Sequence, residues 1–412
     1  MQYGLIGAHL GHSFSKEIHE KIADYTYELQ ELSAEELDDF MKTHSFQAIN
    51  VTIPYKEKVM AYVHHIDEKA KEIGAINTII NQNGVLFGYN TDYLGFKKML
   101  IHYQIEVKHK KVLILGTGGT AKTAKVVFQD LGAKEILMVS RNPKQDQISY
   151  LEAIQFHQDA QIIVNTTPCG MYPHNQDVIL DITPFEALEA VCDVIYNPLQ
   201  TRFIQMAQKR NIKAISGLYM LVAQAVYAVE YFTNQKYSNT LIDEVYQDIK
   251  RKKENIVLIG MPSSGKTTIG KMLAGRLGKT FFDTDEAIEQ VLQRPIASYL
   301  NETTEENFRK IEEAVISRIA KEGSMVIATG GGAILRQQNI DALRANGKII
   351  FLDRPLHLLQ STDSRPLSAQ KEQLQKLYEE RYERYKIAAD IIIANQEDIE
   401  TVMEQIQKEV YQ

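Results

Sequence analysis

Short apolar runs recur along the chain and alternate with segments long enough to form helices. Between residues 110 and 216 the apolar runs begin at Val112, Ile136, Ile162, Val191 and Ile212. Strand-length runs separated by helix-length segments are typical of a parallel sheet with crossover helices. The pattern therefore predicts an α/β fold for the middle of the chain.

The chain on either side of this block follows the same pattern. Before it, apolar runs cover residues 3–6, 48–53 and 76–80; after it, they cover 256–259, 325–329, 348–352 and 390–394. A helix is predicted to begin after Ser33, because Glu36 follows three residues later as in a capping box. The whole chain is therefore predicted to be α/β.

Residues 217–229 form the longest apolar stretch. They fall short of the roughly 20 residues that a bilayer requires, they contain Gln224, and Glu230 follows them. The stretch therefore predicts a buried helix, and the side chain of Gln224 must find a hydrogen-bond partner in the protein or in a ligand.

Composition limits the partners and the setting. The 412 residues predict two to four domains, and a net charge of −7 argues against broad attraction to nucleic acid or to a membrane surface. Cys169 and Cys192 are far apart, so neither a disulfide framework nor a zinc site is predicted. No basic-then-apolar signal opens the sequence, and a reducing cytoplasm fits best. The basic runs at residues 108–111 and 250–253 are interpreted as solvated linkers.

A glycine-rich turn follows the strand-like run that ends at Leu115. Such a turn, placed before a helix, brings backbone amides close to the phosphates of a dinucleotide. Its residues are Gly116, Gly118, Gly119, Thr120 and Ala121. The next strand-like run ends in Ser140-Arg141, where an NAD-binding protein usually has Asp or Glu. Because arginine can pair with a 2′-phosphate, NADP is favoured over NAD. The alternative is an ordinary turn with a surface arginine.

A second glycine-rich turn follows the run that ends at Ile259 and predicts a site for a nucleoside triphosphate. It contains Gly260, Ser263, Ser264, Gly265, Lys266, Thr267 and Thr268. In such a loop the lysine approaches the β- and γ-phosphates and the following hydroxyl holds Mg²⁺. Asp283 is the predicted second metal ligand, and Asp285 is the carboxylate for an acceptor hydroxyl. On its own, this Asp-Thr-Asp triplet would more often be a helix cap.

The first 248 residues resemble the shikimate dehydrogenase family. The segments that carry the resemblance are 3–7, 10–15, 50–56, 74–78, 88–92, 165–171, 193–198 and 217–225. The resemblance implies that Ser13 and Ser15 hold the carboxylate of the substrate. It also implies that Lys56 is catalytic with Asp92 as its partner. The remaining implied contacts are Thr52, Asn77, Tyr196 and Gln224 to the substrate and Gly217 to the cofactor.

Departures from this family leave the reacting groups in place. Lys16 stands where the family commonly has proline, and Ala8-His9 replaces a His-Pro pair. The chemistry can also be argued without the family. Reduction of a ketone needs a proton at oxygen, and a lysine beside a carboxylate can deliver it while stabilising negative charge.

Residues 255–390 resemble the shikimate kinase family. The resemblance implies that Arg309 pairs with the carboxylate of shikimate, that Gly331 lies in a loop presenting amides to the substrate, and that Arg365 belongs to a lid over ATP. A second carboxylate-binding arginine is expected at Arg381. The proline usual beyond it is missing and Arg384 lies nearby, so both arginines stay candidates.

Together the two resemblances imply a bifunctional fusion of shikimate dehydrogenase and shikimate kinase. The expected domains are a substrate domain (1–100, completed by 217–249), a Rossmann-like NADP domain (101–216), a linker (250–254) and a P-loop kinase domain with a parallel sheet (255–412). The expected reactions are NADPH-dependent reduction of 3-dehydroshikimate to shikimate, then ATP- and Mg²⁺-dependent phosphorylation at the 3-hydroxyl. The alternatives are a quinate or aminoshikimate dehydrogenase, or a regulatory ligand-binding protein without turnover. A homodimer is compatible with the sequence.

Overall fold

The computed structural model describes residues 1–11, 13–359 and 371–411. The chain divides into two compact units, Met1–Ile249 and Lys250–Gln412. Each unit has its own sheets and its own apolar core.

The first unit opens with a mixed six-stranded sheet. Its strands are β1 (Tyr3–Gly7), β2 (Tyr27–Glu31), β3 (Ala48–Val51), β4 (His65–Ile66), β5 (Thr78–Gln82) and β6 (Val85–Tyr89). Its helices are α1 (Ser15–Ile22), α2 (Ala34–Thr43), α3 (Glu68–Ile73) and α4 (Thr91–His102), with a 3₁₀ turn at Lys58–Tyr62. The strand order is β2-β1-β3-β5-β6-β4, and β5 runs antiparallel to both of its neighbours.

A second six-stranded sheet, wholly parallel, follows in the same unit. Its strands are β7 (Lys111–Leu115), β8 (Glu135–Ser140), β9 (Gln147–Ser149), β10 (Ile162–Asn165), β11 (Ala190–Asp193) and β12 (Lys213–Ile215), with helices α5 (Gly119–Asp130), α6 (Tyr150–Phe156) and α7 (Arg202–Lys209). The order β12-β11-β10-β7-β8-β9 is that of a doubly wound dinucleotide-binding fold. Its switch point lies between β7 and β10, where such folds bind their ligand.

Two helices complete the first unit. Helix α8 (Leu218–Thr233) packs on α4 and is buried along most of its length, which confirms the buried helix predicted for residues 217–229. Helix α9 (Asn239–Lys253) continues across the boundary at residues 249 and 250. In the described part of the chain, no helix is long and apolar enough to cross a membrane.

The second unit is built on a parallel five-stranded sheet. Its strands are β13 (Asn255–Ile259), β14 (Thr280–Asp283), β15 (Met325–Ala328), β16 (Gly347–Asp353) and β17 (Ile391–Ala394), in the order β14-β15-β13-β16-β17. Its helices are α10 (Lys266–Leu277), α11 (Thr284–Leu292), α12 (Ile296–Glu302), α13 (Glu305–Ile319), α14 (Gln337–Asn346), α15 (Lys371–Ala388) and α16 (Ile399–Tyr411), with 3₁₀ turns at Ala333–Leu335 and Leu356–Leu358.

The α/β class predicted from the sequence is confirmed, and so is one local detail. The side chain of Ser33 accepts a hydrogen bond from the Glu36 amide, and the Glu36 carboxylate accepts one from the Ser33 amide at 2.7 Å. These reciprocal bonds form the predicted capping box at the start of α2.

The interpretation of the two basic runs as solvated linkers is correct only for residues 108–110, which connect α4 to β7; Lys111 and residues 250–253 belong to regular elements. Lys111 begins strand β7, its side chain is only 11% exposed, and its ammonium nitrogen lies 2.8 Å from a carboxylate oxygen of Asp159. Residues 250–253 form the last turn of α9, where basic side chains complement the negative end of the helix dipole. A run of basic residues is compatible either with an exposed linker or with a strand or helix. The sequence alone does not decide between them, because burial of such a residue depends on carboxylates elsewhere in the chain.

Candidate functional sites

The first unit contains a cavity of about 410 Å³ between its two sheets. The predicted substrate-binding residues that line it are Ser13, Ser15, Thr52, Lys56, Asn77, Asp92, Tyr196 and Gln224. Thr120 and Gly217, which were predicted to contact the cofactor, line it as well. Residues far apart in the sequence thus surround one space large enough for a small ring compound and the reactive end of a cofactor.

Lys56 and Asp92 form an ion pair in this cavity. Lys56 Nζ lies 2.6 Å from Asp92 Oδ2, and the two side chains are only 15% and 11% exposed. Asp92 lies in the first turn of α4, which Asn90 caps through its side-chain oxygen to the Tyr93 amide. The backbone carbonyl of Lys56 accepts a hydrogen bond from the Ile76 amide. Both partners are therefore held by ordered backbone.

A buried polar network lies beside this pair and includes three residues that were not among the predicted site residues, Asn50, Thr78 and Thr91. Asn77 Nδ2 donates to Thr91 Oγ1 at 3.0 Å and to Gln224 Oε1 at 3.4 Å. Asn50 Nδ2 donates to the Asn77 carbonyl and to Thr78 Oγ1. Gln224 therefore has the partner that its place on an apolar helix requires. Asn50 is the first residue of segment 50–56, which carries the family resemblance, and this position was the one sign in the sequence that Asn50 lies near the site.

Hydroxyl groups form another part of the cavity wall. The side chains of Ser13 and Tyr196 are hydrogen-bonded to each other, and Ser13 Oγ also accepts a bond from the Ser15 amide at 3.2 Å. Burial raises the pKa of the Tyr196 phenol, although the bond with Ser13 opposes the rise. The phenol therefore stays protonated and can serve as a hydrogen-bond donor.

The first glycine-rich turn connects β7 to α5 at the switch point of the parallel sheet. Gly116 has a φ of 115°, and a β-carbon there would lie 2.8 Å from Thr166 Oγ1. Gly118 caps α5 without a side-chain hydrogen bond, and Gly119 begins the helix. Free amides at a helix start suit a pyrophosphate, so these residues fit a dinucleotide. Ala121 is buried beneath the turn.

Two further observations concern the cofactor side. Ser140 ends β8, its hydroxyl accepts a bond from the Asn142 amide, and Arg141 beside it is exposed. Gly217 packs so closely against the backbone of Val194 that a β-carbon would lie 2.1 Å from the Val194 carbonyl oxygen. Only glycine fits where α8 begins at the cavity wall.

Asp193 is a buried carboxyl group that the sequence analysis did not select. It accepts hydrogen bonds from Asn165 Nδ2, the Ile195 amide and Thr201 Oγ1 at 2.7–3.1 Å. Burial raises its pKa to about 7, although the three hydrogen bonds oppose the rise. Asp193 thereby ties together the ends of β10 and β11, next to residues that line the cavity.

The second glycine-rich turn connects β13 to α10 in the other unit. Gly260, Ser263 and Gly265 have φ angles of 152°, 64° and 86°, which curl the backbone into a loop. Lys266 Nζ donates to the carbonyls of Gly260 and Met261, both at 2.9 Å. The buried Ser264 hydroxyl has no hydrogen-bond partner among the described residues. An unused hydroxyl and a lysine folded over such a loop fit a triphosphate.

Thr267 and Asp283 meet beside this loop. Thr267 Oγ1 donates to Asp283 Oδ2 at 2.8 Å, and Asp283 Oδ1 accepts from the amides of Asp285 and Glu286. Asp283 is therefore a helix cap that also contacts Thr267, and its role as a metal ligand stays a prediction. A hydroxyl and a carboxylate suit Mg²⁺, which keeps several waters when bound. Thr268 is exposed in the first turn of α10.

The remaining predicted kinase residues converge on the loop at Gly330–Gly332. Asp285 Oδ1 packs so closely against Gly330 that a β-carbon there would lie 2.4 Å from it. Arg309 packs in the same way against Gly332, and its guanidinium donates to Glu312 Oε2 at 2.8 Å. Burial raises the pKa of Glu312, and the charge of Arg309 opposes the rise. Glu312 follows Arg309 by three residues and was not among the predicted site residues.

The two candidate arginines differ in burial and in their contacts. Arg381 is 5% exposed and donates to the Gly331 carbonyl at 3.2 Å, whereas Arg384 is exposed. Tyr385, which was not selected, also contacts the Gly331 carbonyl, and Thr284 accepts a bond from the Gly330 amide. Arg365 lies outside the described residues.

The folds and sites define an α/β oxidoreductase unit of the dinucleotide-binding class, joined in one chain to a P-loop phosphotransferase unit. Comparison with known proteins identifies each. The family model "Shikimate dehydrogenase substrate binding domain" matches residues 5–79, and the model "Shikimate kinase" matches residues 262–411. The chain belongs to the shikimate dehydrogenase family and carries a shikimate kinase domain after it, which confirms the predicted fusion.

Individual relatives cover the first unit. The shikimate dehydrogenase (NADP(+)) of Clostridium perfringens strain SM101 is 37% identical over 266 residues, 60% of this chain and 98% of the relative. A chorismate mutase/shikimate 5-dehydrogenase fusion protein from Clostridium acetobutylicum is 37% identical over 61% of this chain and 97% of its own, with a TM-score of 0.57. A Thermus thermophilus shikimate 5-dehydrogenase, solved with NADP(H) and shikimate, is 26% identical over 60% and 99%, with a TM-score of 0.55.

Proposed function

We propose that the first unit reduces 3-dehydroshikimate to shikimate with NADPH and that the second transfers a phosphoryl group from ATP to the 3-hydroxyl of shikimate. The observation that carries the proposal is common to both units. Each unit sets groups suited to a carboxylate beside a group suited to proton transfer: Ser13 and Ser15 near Lys56, and Arg381 near Asp285.

In the reduction, Lys56 donates a proton to the carbonyl oxygen of the substrate. Asp92 keeps the ammonium group directed into the cavity, and the positive charge stabilises the developing alkoxide. Asn77, Gln224 and the hydroxyl groups orient the ring. When bound, NADPH would supply the hydride, and Arg141 at the end of β8 would pair with its 2′-phosphate.

In the phosphorylation, Asp285 orients the 3-hydroxyl of shikimate and accepts its proton. Arg309 and Arg381 grip the carboxylate, because a guanidinium can engage both of its oxygens. When ATP and Mg²⁺ are bound, Lys266 would offset negative charge on the phosphates, and Thr267 and Asp283 would hold the metal. When bound, ATP would supply the phosphoryl group. Arg365 is the residue proposed to close over it.

We also propose the domain roles. Residues 1–100 with 217–249 form the substrate domain, 101–216 the NADP domain and 255–412 the kinase domain, with residues 250–254 between the two activities. A cytoplasmic location is supported by the two cysteines, Cys169 and Cys192, which are both free thiols.

One experiment tests the proposed function. Purified protein is incubated with 3-dehydroshikimate, NADPH, ATP and Mg²⁺, and the products are identified by mass. Shikimate 3-phosphate should form. Omission of ATP should stop the sequence at shikimate, and omission of NADPH should leave 3-dehydroshikimate unchanged. Turnover of quinate or aminoshikimate in preference to shikimate would contradict the proposed substrate, and tight binding without product would contradict an enzyme.

A further inference from the structure

Tyr385 on helix α15 holds the loop Gly330–Gly332. Its hydroxyl donates to the carbonyl of Gly331 at 2.5 Å. The side chain is completely buried, and its ring stacks on Phe351 with centroids 5.2 Å apart and planes 13° apart. Because the ring is fixed by packing, the hydroxyl fixes the orientation of the peptide group that follows Gly331.

Arg381, one helical turn earlier on α15, shares this acceptor. Its Nη1 donates to the Gly331 carbonyl at 3.2 Å, and the carbonyl has two lone pairs with which to accept both bonds. The Nε of Arg381 is buried and has no hydrogen-bond partner in the described part of the chain. A buried guanidinium with an unused N–H calls for an acceptor, and an anionic ligand at this loop would provide one.

We propose that Tyr385 is a positioning residue for the kinase reaction: by holding the Gly331 carbonyl, it leaves Arg381 available to bind the carboxylate of the acceptor. Without the hydroxyl, the carbonyl would depend on Arg381 alone. Loop and substrate would then compete for one guanidinium. This inference rests on the proposed function of the second unit.

The protonation state of Tyr385 supports this role. Burial raises the pKa of the phenol well above its usual range, although the charge of Arg381 and a hydrogen bond with its side chain oppose the rise. The phenol therefore remains a donor at neutral pH. Tyr382, on the same helix, provides a matched control, because its hydroxyl donates to Asp353 Oδ2 instead.

The test compares Tyr385→Phe with Tyr382→Phe in the full chain. For Tyr385→Phe the KM for shikimate should rise about tenfold, as expected for loss of a hydrogen bond at a polar site, while kcat and the KM for ATP change little. Tyr382→Phe should keep the KM for shikimate. The dehydrogenase activity of each sample measures the amount of protein independently. An unchanged KM for shikimate, or an equal rise in the KM for ATP, would overturn the proposal.

A double-mutant cycle tests whether Tyr385 acts through Arg381. Arg381→Lys should raise the KM for shikimate, and adding Tyr385→Phe should raise it little further, because the two changes remove parts of one interaction. If the KM of the double variant rises by the product of the two single increases, the two residues act independently and the shared mechanism is contradicted.

A crystal structure of the unmodified chain with shikimate and ADP provides a test that does not depend on the folding of a variant. Tyr385 should still contact the Gly331 carbonyl while Arg381 contacts the carboxylate. The inference would be refuted if the Tyr385 hydroxyl contacted shikimate itself, or if it no longer contacted the Gly331 carbonyl. If the unmodified chain does not phosphorylate shikimate, the proposed function fails and this inference with it. An active chain with an unaffected Tyr385→Phe variant refutes the inference alone.

Discussion

Lys56 Nζ lies 2.6 Å from Asp92 Oδ2, although 36 residues separate them in the sequence. The loop after β3 positions the lysine, and the first turn of α4 positions the aspartate. A lysine fixed by a carboxylate at the wall of a cavity is suited to deliver a proton to a carbonyl oxygen and to stabilise the charge that develops there.

Lys56→Met should therefore lower kcat for the reduction of 3-dehydroshikimate by about 10²–10⁴-fold, the usual contribution of a positioned general acid. NADPH oxidation followed at 340 nm measures the loss. Shikimate phosphorylation by the same protein should be unchanged. Lys58→Met is the matched control, because Lys58 lies over the Tyr55 ring instead of pairing with Asp92. A reductase that retains most of its activity without Lys56 would remove this residue from the mechanism.

Lys266→Ala should have the opposite pattern. Lys266 Nζ lies over the loop at residues 260–265, and its removal should lower the rate of phosphoryl transfer by at least about 10²-fold. Reduction should continue at its normal rate. Lys271→Ala, on the same helix, removes an exposed lysine paired with Glu286 and should preserve both activities. Loss of both activities in a folded Lys266→Ala protein would refute independent sites.

The sequence predicted most reliably what local patterns determine. The α/β class follows from apolar runs and their spacing, the capping box from Ser33 and Glu36, and the phosphate loops from contiguous glycine-rich segments. In each case the residues that make the structure lie within a few positions of one another, so the signal survives without knowledge of the tertiary fold.

Long-range contacts could not be predicted in the same way. Tyr385 meets Gly331 across 54 residues, and nothing in the residues around Tyr385 indicates which carbonyl its hydroxyl contacts. Lys111 was misinterpreted for the same reason, because Asp159 lies 48 residues away. The sequence likewise did not show that Arg381 is buried and Arg384 exposed, because this difference depends on the orientation of their helix in the fold.

Magnesium dependence should reveal the role of Asp283. Its Oδ2 faces Thr267 Oγ1 at 2.8 Å, so Asp283→Asn should raise the Mg²⁺ concentration needed for half-maximal phosphorylation by removing a charge from the metal site. A titration with Mg²⁺ at saturating ATP measures the shift. Glu286→Gln, three residues on and exposed, serves as the control. An unaltered Mg²⁺ requirement in Asp283→Asn would argue that this aspartate only caps α11.

Cofactor preference should depend on Arg141. Arg141→Ser should raise the KM for NADPH about tenfold to a hundredfold, since hydrogen bonds to charged groups contribute about 1.5–3 kcal/mol. The KM for NADH, which lacks the 2′-phosphate, should be nearly unchanged and serves as the internal control. An equal rise in the KM for NADPH and for NADH would show that Arg141 does not bind the 2′-phosphate.

The stability of the first unit should fall in acid because of His19. This imidazole is fully buried on α1 and stacks on Tyr27 with ring centroids 4.0 Å apart. Its Nδ1 bonds the Tyr25 hydroxyl at 2.8 Å, and its Nε2 has no hydrogen-bond partner among the described residues. Burial lowers its pKa from 6.5 to about 3. The folded protein therefore keeps the ring neutral while the unfolded chain takes up a proton below pH 6.5.

The contribution of the neutral, buried His19 ring to the free energy of unfolding is complete above pH 6.5. It is lost progressively as the pH falls toward 3. The free energy of unfolding should fall by about 1.4 kcal/mol per pH unit in this window for the single proton involved. Pulse proteolysis in urea between pH 4.5 and 7, with fragments identified by mass, measures the first unit separately. His19→Phe should flatten the slope because it removes the titrating group, whereas replacement of the exposed His65 by glutamine should preserve the slope. An equally steep slope in His19→Phe would assign the acid sensitivity to other groups.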